Sequence, residues 1–226
     1  MEKILTVKAE PYDFEFEPDA TVLMVIDVQN DFVNPGGFGE FLGNDVSLLR
    51  AVINPIKNVL EVVRGTEIRV IHTREGHRPD LSDCPQSKLR RGNLKISIGD
   101  EGPMGRVLIR GQKGHDIIDE LKPLEGEPII DKPGKGSFYA TDLHLMLQNW
   151  GIKYLVITGV TTEVCVHTTV REANDRGYEC LVLDDCVASY FPEFQDTGLK
   201  MIKAQGGIFG WVASSRNFID VIKTLK

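Results

Sequence analysis

Three residue types able to do acyl-transfer chemistry stand at the ends of apolar runs: an acid, Asp27; a lysine, Lys132 or Lys135; and a cysteine, Cys165. A thiol becomes an effective nucleophile when a base takes its proton and a nearby cation stabilises the anion. A carboxylate and an ammonium supply those two functions. Together the three could attack a carbonyl carbon, with backbone N–H groups receiving the charge that develops on its oxygen. Each also has a plainer reading. Cys165 could be a small buried hydrophobe, Asp27 a turn or N-cap residue, and the lysines solvated loop residues. Position decides between the two.

The segment YLVITGVTTEVCVHTTVREANDRGYECLVLDDC, residues 154–186, supplies the first position. Residues 154–158, YLVIT, are mostly apolar with three β-branched side chains and fit an interior parallel strand, and Gly159 marks where the chain leaves the sheet. From Thr162 the period reads as helical, with Val164, Thr168 and Ala173 expected against the sheet, Glu172, Asp175 and Arg176 expected toward water, and Gly177 as C-cap. Residues 181–183 read as the next strand. Cys165 then sits in the first turn of a helix above a sheet, where free N–H groups and the helix dipole favour a thiolate.

Residues 21–28, TVLMVIDV, are nearly all apolar, as in a central strand covered on both faces, and Asp27 lies at its carboxyl edge, followed by Gln29, Asn30, Asp31 and Phe32. Residues 128–131 form another strand, with Lys132 directly after it. In an open α/β sheet the ligand crevice lies outside the carboxyl ends of the strands, so all three residues are expected at one crevice. The fold class expected is α/β: a single-domain, doubly wound, Rossmann-like, mostly parallel sheet flanked by helices. Residues 1–20 read as an acidic N-terminal arm and residues 21–226 as the domain. Further helices are expected at 48–63, before Gly151, at 195–204 and at 217–225, with a strand at 67–72 and helical turns near 115–123.

The 226 residues suit one α/β domain, and a net charge of -7 with a pI near 5.3 argues against a nucleic-acid or anionic-membrane partner. The start lacks the apolar stretch of a signal peptide, and Cys84, Cys165, Cys180 and Cys186 show no CxxC spacing. Reduced thiols and a cytoplasmic location are therefore expected. No GxGxxG or GxxxxGK[ST] motif is present, so no nucleotide site is indicated. The polar stretch 72–92 holds His72, Glu75, His77, Asp80 and Asp83, without the spacing of a metal motif. It reads as a lid or substrate-edge loop in which Arg74 and Arg78 could serve an anionic or carbonyl-rich substrate.

The motifs DVQNDF at residues 27–32, IIDKPGKGSF around Lys132, and GVTTEVCV at 159–166 resemble the isochorismatase-like cysteine hydrolase superfamily over nearly the whole chain. Within it, HTREGHRPDL, DKPGKGSF, TTEVCVHTT, REANDRGYEC and QGGIFG are similar to biuret hydrolases and ureidoacrylate amidohydrolases. The resemblance implies Asp27 as general base, Lys132 as the cation and Cys165 as nucleophile. It also implies a cis peptide between Val160 and Thr161, with the Thr161 and Cys165 N–H groups receiving the oxyanion, and Phe32, Phe138 and Gln205 near the substrate. Tyr190 and Phe191 either close the pocket or belong to the core. Nicotinamidases of the superfamily bind a metal through histidines in the loop after the first strand, and residues 34–45 contain none, so no metal and no cofactor are expected. Isochorismatases that cleave a vinyl ether lack the cysteine, which points to amide chemistry here. The implied activity is hydrolysis of a small ureido or carbamoyl amide of the biuret, triuret or ureidoacrylate type through a thioester, by a homo-oligomer, dimer or tetramer. The alternatives are a nicotinamidase-like carboxamide hydrolase and a non-enzymatic thiol sensor or scaffold.

Overall fold

Thr21–Ile26 is buried at every position, and a strand apolar on both faces belongs in the middle of a sheet that helices cover on both sides. The computed structural model describes residues 3–90 and 96–225 and has this arrangement. The central strands are β1 (Thr21–Ile26), β2 (Arg69–Glu75), β3 (Ile129–Lys132), β4 (Tyr154–Val160), β5 (Glu179–Ala188) and β6 (Trp211–Ala213). They form one six-stranded sheet in the order β6-β5-β4-β1-β2-β3, parallel throughout. The chain winds outward from β1 to β3, returns to the middle at β4, and winds the other way. The carboxyl ends of β1 and β4 therefore flank the point where a doubly wound sheet opens a crevice.

The longer helices are α1 (Ile53–Val63), α2 (Leu143–Asn149), α3 (His167–Asn174), α4 (Pro192–Gly207) and α5 (Ser215–Ile222). Alternation along β1 divides the core between them. Leu23 and Val25 pack with Ile56 and Leu60 of α1 and Phe218 of α5, while Val22, Met24 and Ile26 pack with Leu147 of α2, Val170 of α3 and Ile202 of α4. At the crevice the backbones come very close: Gly159 has φ +112°, and a Cβ there would lie 2.0 Å from the Ile26 carbonyl oxygen. Only glycine fits, and that fit draws the segments after β1 and β4 together. No helix among the described residues is long and apolar enough to cross a membrane.

Three expectations need correction. Helix α3 buries Thr169, Val170 and Ala173, whereas Val164 and Thr168, expected on the sheet beside Ala173, are only half-buried because they lie about half a turn away from it. The strand expected to end at His72 runs on to Glu75, because its polar side chains find partners beside the sheet: His72 with Glu127 at 3.2 Å, Thr73 with Asp27 at 2.6 Å, Arg74 with Asp131 at 2.7 Å. The polar stretch after it is correspondingly shorter and carries a helical turn at Gln86–Leu89; its last residues, Arg91 and Gly92, lie outside the described residues. Helix α4 begins at Pro192, earlier than its periodicity indicates, and loses helical geometry at Ala204–Gly206.

The N-terminal segment folds into the domain. Leu5–Val7 and Phe14–Phe16 pair as an antiparallel hairpin, and the alternation of Phe14 and Phe16 with acids turns both rings inward. Phe16 is fully buried with its ring 5.9 Å from that of Phe218. Phe16→Ala should therefore destabilise the whole domain by about 3–5 kcal/mol in chemical denaturation. An unchanged midpoint would mean the hairpin only lies on the surface.

Candidate active site

Asp27 follows β1 in the left-handed region, φ 52°, which no β-carbon residue adopts freely. Two contacts fix it from β2: its N–H donates to the Thr73 carbonyl at 3.2 Å, and the Thr73 hydroxyl donates to Oδ1 at 2.6 Å. Lys132, the last residue of β3, brings its ammonium to 2.7 Å from Oδ2, and both side chains are fully buried. Nζ also donates to the carbonyls of Gly134 at 3.0 Å and Lys135 at 2.8 Å, so its three donors are all engaged. Burial opposes the charge on Lys132, but Asp27, Cys165 and Glu75 outweigh it and hold the ammonium above its ordinary pKa. It stays protonated.

Cys165 lies in a π-helical turn, Thr162–Val166, that leads into α3, a distortion common at functional sites. The peptide before that turn, Val160–Thr161, is cis. The side chain is buried at 4% exposure and its thiol donates to Glu75 Oε2 at 3.5 Å. Here the structure departs from the expected thiolate. Burial pushes the thiol well above its usual pKa; Lys132 and Lys135 pull it down, and Asp27 and Glu75 oppose them. That direction favours a sulfur that keeps its proton at rest, and a nucleophilic role for it would need a base to take that proton.

Glu75 is the residue that sequence reasoning missed as part of this site. It ends β2 as Asp27 follows β1, fully buried, and Oε1 receives the Lys88 and Lys135 ammoniums, each at 2.7 Å. Burial would raise its pKa, but Lys132, Lys135 and Lys88 bring it down to about 2. Its signal was an acid at a strand's carboxyl edge, hidden because the strand runs through polar residues. Lys88, Lys132 and Lys135 oppose Asp27 and Glu75, an excess of one positive charge that a thiolate on Cys165 would neutralise.

Ligand atoms of Asp27, Glu75 and Cys165 lie within 4.8 Å of one another, a spacing that could suit a metal ion. The lysines argue against that use. Ammoniums already hold Asp27 Oδ2 and Glu75 Oε1, and a divalent cation would stand against three positive charges.

Cys165 opens onto a cavity of about 220 Å³, whose floor includes Thr161, Glu75 and Lys135 and whose apolar walls include Phe32, Phe38, Leu42, Tyr190 and Phe191. The Tyr190 hydroxyl donates to the Phe32 carbonyl at 2.6 Å, tying two walls together. Tyr190 and Phe191 thus belong to the pocket.

Other expected site residues lie elsewhere. Phe138 is packed in the core, stacked on Tyr178 with centroids 5.8 Å apart and with the Arg176 guanidinium 4.9 Å from its ring. Gln205 is exposed, with φ 52°, where α4 breaks on its way to the start of β6, and so at the amino edge of the sheet away from Cys165. Arg74 is held by Asp131 and Asp116, and the Asp83 carboxylate accepts the Arg78 N–H at 2.9 Å. His72 pairs with Glu127, His77 lies between Asp83 and Lys88, and Asp80 caps Ser82. These contacts shape the loop and assemble no ligand set.

The isochorismatase domain family matches residues 21–216. The chain belongs to the isochorismatase family. It is 32% identical over 226 residues to the ureidoacrylate amidohydrolase RutB of Serratia proteamaculans, covering 98% of this chain and 90% of that one. It is 32% identical to the protein of the same name from Pantoea ananatis, over 95% of this chain and 86% of the other. Among solved structures, a cysteine hydrolase from Pseudomonas syringae pv. phaseolicola superposes with a TM-score of 0.80 at 24% identity, covering 100% of both chains. An isochorismatase-like hydrolase from Alkaliphilus metalliredigens gives 0.70 at 29% identity, covering 89% of this chain and 96% of that one.

The two lysines should separate in stability. Lys132→Met leaves the Asp27 carboxylate buried and unpaired and should cost about 3–5 kcal/mol. Lys135→Met leaves Glu75 still paired with Lys88 and should cost clearly less in the same urea titration. Equal losses would contradict the pairing described.

Proposed function

We propose that this protein is a cysteine-dependent amidohydrolase that cleaves a C–N bond of a small ureido or carbamoyl amide, of the biuret, triuret or ureidoacrylate type, through a thioester. The observation that carries the reading is the Cys165 thiol on the floor of a small, apolar-walled cavity, within 4.8 Å of carboxylate oxygens of Asp27 and Glu75. The names of the two curated relatives support amide chemistry, and a cavity of about 220 Å³ suits a molecule of few atoms.

In this reading Asp27 takes the thiol proton as sulfur bonds to the carbonyl carbon, and Lys132 steadies both anions. The N–H groups of Thr161 and Cys165 receive the oxyanion. Asp27 then returns the proton to nitrogen as the C–N bond breaks, releasing ammonia or an amine. Water attacks the thioester with Asp27 again as base, and sulfur regains its proton. No metal or cofactor takes part. Phe191, Phe194, Met201 and Ile208, exposed at or along α4, support assembly into a homo-oligomer. A cytoplasmic location belongs to the same reading.

Ammonia release from a panel of biuret, triuret, ureidoacrylate and nicotinamide tests it. Turnover of at least one ureido compound, with activity lowered about 10²-fold or more in Cys165→Ser and in Asp27→Asn, is the expected outcome. Turnover of nicotinamide alone, or full activity in Cys165→Ser, would overturn it.

A further inference from the structure

Around Cys165, Asp27, Lys88, Lys132 and Lys135 each take part in the proposed reaction or in an ion pair, whereas one oxygen of Glu75 takes part in neither. Its two oxygens are unequally used. Oε1 receives two ammoniums, whereas Oε2 has the Cys165 thiol, 3.5 Å away, as its partner. We infer that Glu75 contacts the substrate: its Oε2 accepts a hydrogen bond from the N–H of the nitrogen that leaves, so the pocket selects amides that carry a hydrogen there. This inference rests on the amidohydrolase reading and adds to it a residue that discriminates among its substrates.

Oε2 changes its situation when the reaction starts. Once the thiol proton passes to Asp27, a buried carboxylate oxygen loses its donor and faces a newly formed anion. A buried charge without a partner is costly, so a replacement donor at that moment stabilises the arrangement. Geometry says where that donor comes from. A carbonyl carbon poised for attack lies roughly 3–3.5 Å from sulfur, and its amide nitrogen is one bond of about 1.3 Å further on. An acceptor 3.5 Å from Sγ on the cavity lining meets that nitrogen when the amide lies with its N–H turned toward Glu75, which is the orientation this inference assigns to the substrate.

The remaining surroundings fit an acceptor and not a proton carrier. Lys88 and Lys135 are held on Oε1, so the carboxyl is oriented by two ammoniums and cannot turn away. Gln29 holds the backbone of the same residue from both sides, accepting the Glu75 N–H at 2.7 Å and donating to its carbonyl at 2.9 Å. With a pKa brought down to about 2, the group stays charged at any working pH and accepts without taking the proton. Asp27 remains the base, and the balance of the reaction is unchanged: S–C forms, C–N breaks, and the thiol proton ends on nitrogen.

The plainer role for Glu75 is to tether Lys88 and Lys135 and so hold the lid loop. The experiment separates the two by changing the leaving group. The wild-type enzyme is assayed on four compounds with one carbamoyl acyl group: a primary amide, its N-methyl amide, its N,N-dimethyl amide and its oxygen ester. The first two keep an N–H; the last two have none. Expected in the wild type is cleavage of both N–H amides, with kcat/KM falling about 10²-fold or more from the N-methyl to the N,N-dimethyl compound. In Glu75→Gln, kcat/KM for the primary amide should fall about 10²-fold more than that for the ester, whose remaining turnover carries whatever the lost charge does to the sulfur and reports that the variant is folded. Cleavage of the N,N-dimethyl amide within about threefold of the N-methyl amide would overturn the inference whatever the variant does. Equal losses on amide and ester in Glu75→Gln, or none on either, would overturn it too. If the wild type cleaves the ester but no amide, the amidohydrolase reading itself fails.

Discussion

The ion pair between Asp27 and Lys132 governs the rest of this structure. Both groups are fully buried 2.7 Å apart at the carboxyl ends of non-adjacent strands, and desolvating them costs about as much as their attraction returns. A pair of that kind is a weak stabiliser and a strong constraint. To keep it satisfied, β1, β2 and β3 must hold register so that Thr73 reaches Asp27 and the carbonyls of Gly134 and Lys135 reach Lys132. The sheet order with its switch between β1 and β4 then delivers Cys165 to the same point.

What the pair offers the sulfur is a balanced field. Three ammoniums and two carboxylates surround a thiol that remains neutral at rest, and loss of its proton brings the cluster to zero net charge. The helix end and the lysines do not produce a resting thiolate as they would at an open surface, because removal of water and two nearby carboxylates push the other way. In the proposed reaction the cost of the anion is met only when a substrate arrives beside the carboxylate already held there. That is the condition under which binding energy serves the reaction and not side reactions of an exposed thiolate.

Much of this was legible in the sequence for physical reasons. Strand β1 is apolar on both faces, so its place at the centre was readable, and an acid at its end stood out against that background. Cys165 was located by the change from strand to helical period around Gly159. Glu75 was not, because β2 reads V-I-H-T-R-E and its polar half mimics a loop until the partners of His72, Thr73 and Arg74 are seen. Phe138 and Gln205 came from resemblance alone, and here the first is stacked in the core and the second lies at a helix break at the far edge of the sheet. The fate of residues 1–20 turned on Phe14 and Phe16, whose alternation was visible but whose partner Phe218 lies about two hundred residues away in sequence and could not be.

The chemistry of this site depends most directly on the state of the Cys165 sulfur before substrate binds. Its alkylation by iodoacetamide, followed against pH by peptide mass mapping so that Cys84, Cys180 and Cys186 are scored apart, reads that state without any substrate. Reactivity of Cys165 that is low at neutral pH and still rising past pH 9, the ordinary thiol value, is the result expected. A rate that levels off below pH 7 would mean a resting thiolate and would contradict a sulfur that is neutral until substrate arrives.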